Sequence, residues 1–111
     1  MTEAVIISRD EELRARIHAA RVVWIDSPEQ FELALGEGFD LALVDVCTDC
    51  GCDRDVADIV RACREQGKAR RVIAFLSGCG GDAAIRAHLA GADRVIPVDQ
   101  LEGELEGLLD A

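Results

Sequence analysis

The chain has 111 residues, is 50% hydrophobic and carries a formal net charge of −10. This length suits one domain with a single core, so we expect residues 1–111 to form one domain. The many aliphatic residues and the two prolines are typical of a globular protein and not of a disordered segment. An acidic surface repels phosphate backbones, so we expect no direct contact with nucleic acid.

The N-terminus shows no secretory signal pattern, because Thr2 and Glu3 precede only five apolar or small residues. No apolar stretch approaches the roughly 20 residues that a membrane helix needs. We therefore expect a cytoplasmic protein with no membrane contact. Cytosolic thiols stay mostly reduced, so the five cysteines indicate metal or redox chemistry before structural disulfides.

Strand-like and helix-like patterns alternate along the whole chain. Apolar runs indicate buried strands, and the cap residues Asp10 and Ser27, the latter followed by Pro28, mark helix starts. In chain order the patterns predict strand 4–8, helix 10–20, strand 21–25, helix 27–35, strand 40–46, helix 56–63, strand 71–77, helix 82–89, strand 94–98 and helix 101–109. Cys63 falls on the apolar face of the third helix and is expected in the core. Pro97 predicts an edge position for the fifth strand.

This alternation predicts an α/β fold, a (βα)₅ doubly wound five-stranded parallel sheet with helices on both faces. Trp24, in the middle of the second strand, is expected in the core. Functional residues of such sheets lie at the carboxyl ends of the strands. In this chain those ends carry the segments 8–10, 26–27, 45–53, 77–81 and 98–99.

Three stretches resemble parts of response-regulator receiver domains. Gly38-Phe-Asp-Leu-Ala-Leu-Val-Asp45-Val46 resembles the strand that ends in the phospho-accepting aspartate. Phe75-Leu-Ser77-Gly78 resembles the strand that ends in the switch Ser or Thr, and Ala90-Gly-Ala-Asp93 resembles the turn before the last strand. The resemblance implies a flavodoxin-like sheet with strand order 2-1-3-4-5 and a non-enzymatic role in two-component signal transduction. It makes Asp45 the phospho-acceptor candidate and Ser77 the switch candidate.

The chain departs from the receiver pattern where that pattern holds Mg²⁺. Receivers carry two acidic residues at the end of the first strand, and Ser8 and Arg9 occupy those places here. Asp10 could supply one ligand only by a shift of register. Mg²⁺ needs near-octahedral oxygen coordination, so we expect no Mg²⁺ site, and Arg9 could pair with Asp45 in place of the cation.

A second departure concerns the lysine that ends the fifth strand of receivers and contacts the phosphoryl group. The matching position is Val98, or Pro97 if the register slips, and the chain's one lysine, Lys68, lies before the fourth strand. The cation that stabilises transferred phosphoryl charge is therefore missing. These departures predict an atypical, pseudo-receiver domain.

Four cysteines follow two strands that are neighbours in the implied strand order. Cys47, Cys50 and Cys52 follow the third strand, and Cys79 follows the fourth. Four thiolates meeting there could hold Zn²⁺ or an Fe–S cluster, could form a thiol–disulfide switch, or could be inert small side chains.

Three hypotheses on function therefore stand. The first is a signalling module that works through protein contacts, with a partner or a second copy of the chain on the Asp82–Leu109 face that receivers generally use. The second is a metal or thiol-redox protein on the same fold. The third is a phospho-accepting response regulator that uses Asp45.

Overall fold

The computed structural model describes residues 2–17, 22–46, 56–76 and 81–110. Strands and helices alternate throughout this part of the chain. In order they are β1 (Thr2–Ile7), α1 (Glu11–Arg16), β2 (Val22–Ile25), α2 (Pro28–Glu37), β3 (Phe39–Asp45), α3 (Val56–Glu65), β4 (Arg71–Leu76), α4 (Gly81–Ala90), β5 (Arg94–Pro97) and α5 (Val98–Asp110). None of these helices is both long and apolar enough to cross a bilayer.

The five strands form one parallel sheet in the order β2-β1-β3-β4-β5. The predicted fold class and strand order are therefore confirmed, and β5 lies at an edge, as Pro97 indicated. Because β3 and β4 are hydrogen-bonded neighbours, the chain segments that follow them leave from adjacent points of the sheet.

Both faces of the sheet are buried, which explains why the strands read as continuous apolar runs. In β1, Val5 and Ile7 belong to a core cluster shared with α2, α3 and α4. Ala4 and Ile6 point the other way, into a cluster shared with α1 and α5. Cys63 lies in the first cluster and is fully buried, which confirms its predicted place in the core.

The first helix is shorter than predicted. It ends at Arg16, and Ile17 is already extended, with φ −100° and ψ 111°. Ile17 is buried in the same cluster as Leu13, and a β-branched side chain favours extended backbone over helix. The helix therefore ends just before Ile17, whose side chain is buried in the core.

The last strand is also shorter than predicted, and the last helix is longer. Pro97 is the final residue of β5, and Val98 is the first residue of α5, three residues before the predicted helix start. Proline has no N–H to extend the ladder, so the strand stops there. Val98 continues the apolar run of residues 94–98 in the sequence, so the pattern assigned it to the strand and not to α5.

Trp24 is less buried than predicted. Its side chain is half-buried at the edge strand β2, where it packs against the α1 and α5 side of the core. An edge strand has a neighbour on one side only, so part of the indole remains in solvent.

Candidate functional site

The site begins with two polar residues at the carboxyl ends of neighbouring strands. Ile7 of β1 lies opposite Val44 of β3, so the next positions, Ser8 and Asp45, come side by side. Strand alternation directs both side chains to the α1 and α5 face of the sheet. Both residues are only 2% exposed, and no other polar residue in the described part of the chain is buried to this degree.

The Ser8 hydroxyl donates a 2.8 Å hydrogen bond to Oδ2 of Asp45. Oγ of Ser8 in turn accepts a 3.0 Å hydrogen bond from the backbone N–H of Asp10. Ser8 thus uses both its donor and its acceptor, and it links the end of β3 to the start of α1. The described residues leave no buried side-chain polar atom without a hydrogen-bond partner, so this polar pair is compatible with a dry interior.

The Asp10 side chain does not take part in the Ser8–Asp45 hydrogen bond and instead caps α1. Its Oδ1 accepts a 3.2 Å bond from the N–H of Leu13, which caps the N-terminus of α1. The cap was predicted from the sequence. Arg9 is exposed, and its pairing with Asp45 stays a prediction.

A polar cleft of about 210 Å³ opens beside Ser8 at the ends of β1 and β2. Arg14 places its guanidinium 5.8 Å from the ring centroid of Trp24 and 3.4 Å from Oδ2 of Asp26. The remaining walls come from residues 9–11. Two arginines and three acidic residues line this cleft, so it carries side chains of both charges.

The described residues do not fit the Mg²⁺ site that the resemblance implies. One oxygen of Asp45 already accepts the Ser8 hydroxyl, and the Asp10 carboxylate accepts a backbone N–H of α1. In the described ranges, no three His, Cys, Asp or Glu side chains come together as metal ligands. Proteins usually hold Mg²⁺ through one or two carboxylates, and Ser8 does not supply one.

The two positions predicted to match the receiver lysine, Pro97 and Val98, lie at the junction of β5 and α5. Pro97 pairs with Leu76 at the end of the sheet, and Val98 packs against the α1 and α5 side of the core. Lys68 is exposed in the turn before β4, at the opposite end of the strands. No lysine therefore stands near Asp45.

Five predicted site residues lie outside the described residues. They are the switch candidate Ser77 and the candidate metal or redox ligands Cys47, Cys50, Cys52 and Cys79. The strands that precede these five residues are adjacent in the sheet. Asp45 is the last residue of β3, and Leu76 is the last residue of β4.

A second candidate site is a groove of about 640 Å³ along α4, β5 and α5. Ile85 and Leu89 are 60% and 78% exposed on its α4 side, whereas Ala87 on the opposite face of α4 is fully buried. The floor includes the half-buried Val95 and the buried Ile96. Helix α4 therefore turns its small residues inward and its large apolar residues toward solvent.

The rim of this groove carries paired charges. Arg94 contacts both carboxylate oxygens of Glu104 at 3.1 and 3.3 Å, and these hydrogen bonds lower the pKa of Glu104 below its usual range. His88 is exposed on the α4 side. The groove is thus apolar at its centre and polar at its edge, as protein interfaces are.

At the amino end of the sheet, Asp93 closes the turn between α4 and β5. Its N–H donates to the carbonyl of Val72 at 2.7 Å, and its Oδ2 accepts the N–H of Val72 at 2.9 Å. Arg64 also contacts this Oδ2, at 2.6 Å. Burial raises the pKa of Asp93, but the Val72 and Arg64 hydrogen bonds outweigh it, so the pKa lies below its ordinary value.

Sequence reasoning missed two of these features. The Ser8–Asp45 bond could have been found from the strand register, since two polar residues at adjacent strand ends face the same way. Arg64 gave no signal, because it reads as a solvated arginine at the end of an amphipathic helix.

No protein-family model matches the chain, and no curated protein does. Solved structures do match. A response regulator from Hahella chejuensis has a TM-score of 0.70 at 14% identity, over 99% of this chain and 93% of that one. A CheY-like response regulator receiver domain protein from Methanospirillum hungatei JF-1 has a TM-score of 0.68 at 16% identity, over 99% and 94%.

A response regulator protein from Burkholderia pseudomallei, solved with a phosphorylated aspartic acid, a calcium ion and citrate, is also similar. Its TM-score is 0.64 at 16% identity, over 97% of this chain and 72% of that one. The chain therefore has the fold of response-regulator receiver domains, as its sequence motifs predicted.

Proposed function

We propose that the chain is an atypical receiver-like signalling domain of the cytoplasm that acts through protein contacts, without Mg²⁺-dependent phosphorylation of Asp45. The observation that carries this proposal is the buried hydrogen bond from Ser8 to Asp45. It supports the proposal because a neutral hydroxyl stands where a cation site beside Asp45 would need a second carboxylate.

The chemistry of phosphoryl transfer supports the same conclusion. Charge builds on the transferred oxygens, and metal ions or positively charged side chains must neutralise it. Ser8 offers one proton to Asp45, and Val98 and Pro97 carry no charge. Asp45 is also nearly inaccessible, so a phosphodonor would have to displace its present contacts.

Incubation of the purified chain with acetyl phosphate and Mg²⁺ tests this proposal. We expect intact-mass spectrometry to show no added phosphoryl group, with the wild type indistinguishable from Asp45→Asn. Mg²⁺-dependent phosphorylation of the wild type that is lost in Asp45→Asn would show instead that the chain is a phospho-accepting response regulator.

For the protein contact we propose the face formed by α4, β5 and α5, within Asp82–Leu109. Two exposed apolar side chains one helical turn apart, Ile85 and Leu89, lie beside an open groove. Exposing such residues while burying alanines costs hydrophobic stabilisation unless a partner covers them. A second copy of the chain is the occupant that can be tested directly.

Sedimentation equilibrium measures this association. We expect a concentration-dependent dimer for the wild type and for Leu33→Ser, a matched control because Leu33 is 70% exposed on α2. The double variant Ile85→Ser/Leu89→Ser should remain monomeric. A wild type that is monomeric at all concentrations would reject the homodimer, and a double variant that still dimerises would reject this face.

A metal or redox site of Cys47, Cys50, Cys52 and Cys79 is the second candidate function, either as a switch of the signalling domain or as the activity itself. Its support is the adjacency of β3 and β4, the strands that these cysteines follow. Four thiolates from two neighbouring segments would satisfy the tetrahedral preference of Zn²⁺ or the ligand count of an Fe–S cluster.

Elemental analysis and visible absorption of anaerobically purified protein test this candidate. Stoichiometric zinc or iron that is lost in Cys79→Ser and kept in Cys63→Ala would support the site, since Cys63 is a buried core residue. Reversible loss of four free thiols on mild oxidation, without metal, would support the disulfide switch. Metal-free protein with unresponsive thiols would reject both.

A further inference from the structure

Arg64, in the last turn of α3, joins three parts of the chain through one guanidinium group. Its Nε and Nη2 donate to the carbonyl of Gly91 at 3.1 and 2.8 Å. Its Nη1 donates to the carbonyl of Arg70 at 3.0 Å, and Nη2 forms the 2.6 Å ion pair with Asp93. We call this set of contacts the Arg64 brace.

The brace connects two of the turns in which a described residue has positive φ. Lys68, in the turn between α3 and β4, has φ +56°, and Gly91, in the turn between α4 and β5, has φ +122°. Both turns lead into strands at the amino end of the sheet, far from Asp45. A left-handed non-glycine residue is strained, and such strain persists only where surrounding contacts hold it.

The turn at Gly91 also sets one wall of the groove described above, because Asp93 and Arg94 follow it directly and line that groove. The backbone of this turn is held by two further bonds, from Gly91 to His88 and from Ala92 to Ala87. The contacts of Asp93 with Val72 and Arg64 also hold the backbone of this turn.

We propose that the Arg64 brace couples α3 to the groove, so that the turn 91–93 is released as a unit when the brace breaks while the sheet stays folded. Anything that displaces the end of α3 would then alter the groove wall. By thermodynamic reciprocity, a molecule that binds the groove in its present shape would stabilise α3. This proposal rests on the proposed function only where it treats the groove as the docking face.

The geometry also explains why arginine occupies this position. A guanidinium presents several N–H donors in one plane, so it can bond two carbonyls and a carboxylate at once. A lysine ammonium would keep the charge but could not reach all three places. If only the positive charge at this position mattered, Arg64→Lys would behave like the wild type. If the full set of contacts matters, Arg64→Lys should behave like Arg64→Gln.

Amide hydrogen exchange of the full chain, measured by NMR, tests the coupling without any partner. In Arg64→Gln and Arg64→Lys we expect the amides of Val72, Ala92 and Asp93 to exchange about tenfold faster, as loss of charge-assisted bonds implies. The amides of Ile6 and Leu43 in the central strands should keep the wild-type rate.

The matched control is Arg61→Gln, on the same helix, because Arg61 pairs with Asp58 at the surface. It should leave all five amides unchanged. Asp93→Asn removes the charge at the other end of the brace and should reproduce the Arg64→Gln pattern if an Arg64 variant is too unstable to measure.

Two outcomes would overturn the coupling: uniform acceleration of all five amides, which would indicate general destabilisation, and no acceleration at the turn. Wild-type exchange rates at Val72, Ala92 and Asp93 in Arg64→Lys would show that the planar guanidinium is not required. Because no partner is present, these outcomes are independent of whether the groove binds a second copy.

Discussion

At the scale of single residues, the contact between Ser8 and Asp45 is the central feature of the site. The Ser8 hydroxyl satisfies an oxygen of a carboxylate that is almost fully buried. A buried carboxylate needs such donors, since an unsatisfied one is costly. We therefore expect the side chain at position 8 to affect both the stability of this strand end and its affinity for cations.

Replacing Ser8 by Asp places a second carboxylate beside Asp45. Repulsion between like charges should lower the midpoint of thermal unfolding in the absence of divalent ions. Mg²⁺ should then raise the midpoint of Ser8→Asp by several degrees, because an ion that binds only the folded state stabilises it. Circular dichroism melts with and without Mg²⁺ measure both effects.

Ser8→Ala is the control for this experiment. We expect it to lose about 1–3 kcal/mol of unfolding free energy with and without Mg²⁺, because it removes a donor to a buried group. If Mg²⁺ stabilised the wild type as much as Ser8→Asp, Ser8 could not be what excludes the cation.

Asp93 should make stability depend on pH in the acid range. Its folded pKa is lowered from its ordinary value, so the charged form favours folding above the unfolded pKa. This contribution is lost as pH falls through the folded pKa. The stability difference between wild type and Asp93→Asn, measured by urea unfolding, should therefore be largest at neutral pH and shrink below about pH 4. A difference that grows on acidification would show that the charge of Asp93 opposes folding.

At the scale of elements, α4 packs in an unusual sense. Ala87 is fully buried, whereas Ile85 and Leu89 face solvent. Small inward residues let a helix approach its neighbours closely. The orientation of this helix is therefore set by steric fit and not by the burial of its largest side chains.

This packing predicts that substitutions at neighbouring positions of α4 change the unfolding free energy by different amounts. Ala87→Leu should destabilise the fold by about 1–3 kcal/mol, because the buried interface has no room for a larger side chain. Ile85→Ala should change the unfolding free energy by less than about 0.5 kcal/mol, as exposed substitutions usually do. Urea titrations compare the two variants, and equal losses would contradict the packing.

The glycines of α5 offer a stabilising change. A Cβ at Gly103 or Gly107 would meet no atom within 4 Å, so alanine at each should add about 0.5–1 kcal/mol. Gly67→Ala provides the contrast, since its Cβ would lie 2.6 Å from the buried Phe39 ring and should be destabilising. Thermal melts measure the stability of all three variants. A loss of stability in the α5 variants would contradict the prediction that a Cβ fits at Gly103 and Gly107 without a clash.

The elements were predictable from the sequence because hydrophobic period and cap residues act locally. Asp10 and Ser27 cap helices as expected, and the receiver resemblance predicted the strand order correctly. The end of α1 was missed because Ile17 responds to burial in the core, which is a tertiary effect. For the same reason the Arg64 contacts, which join residues far apart in sequence, could not be read from local pattern.

The candidate site was predictable in part. The identity of residues 8, 9 and 98 predicted that no acidic pair and no lysine would stand beside Asp45, and the pseudo-receiver interpretation that follows from it stays a prediction. That Ser8 itself would bond Asp45 depended on knowing the register of β1 and β3. The roles of Ser77 and of Cys47, Cys50, Cys52 and Cys79 remain predictions.

At the scale of the whole molecule, excess negative charge acts against compactness. The chain carries 22 acidic and 12 basic residues besides two histidines. Surface ion pairs such as Arg16 with Glu102, at 2.8 Å, offset this repulsion locally. Most such exposed pairs contribute little, so we expect net repulsion to dominate.

Added NaCl should therefore stabilise the fold. Between about 10 mM and 500 mM salt the screening length falls severalfold, which weakens repulsion across the surface. We expect the urea midpoint to rise over this range, with choline chloride giving the same result as a control for specific Na⁺ binding. A midpoint that falls with salt would mean that the ion pairs outweigh the repulsion.

The half-buried tryptophan at the edge of the sheet has an optical consequence. Trp24 is the one tryptophan of the chain, and the sequence contains no tyrosine. Its ring lies under Arg14 and lines the cleft that Ser8 also lines. Emission excited near 295 nm thus originates from a single place, next to the end of β1. The unmodified protein carries its own fluorescent probe of the Ser8 and Asp45 region, and this probe will report changes there without a label.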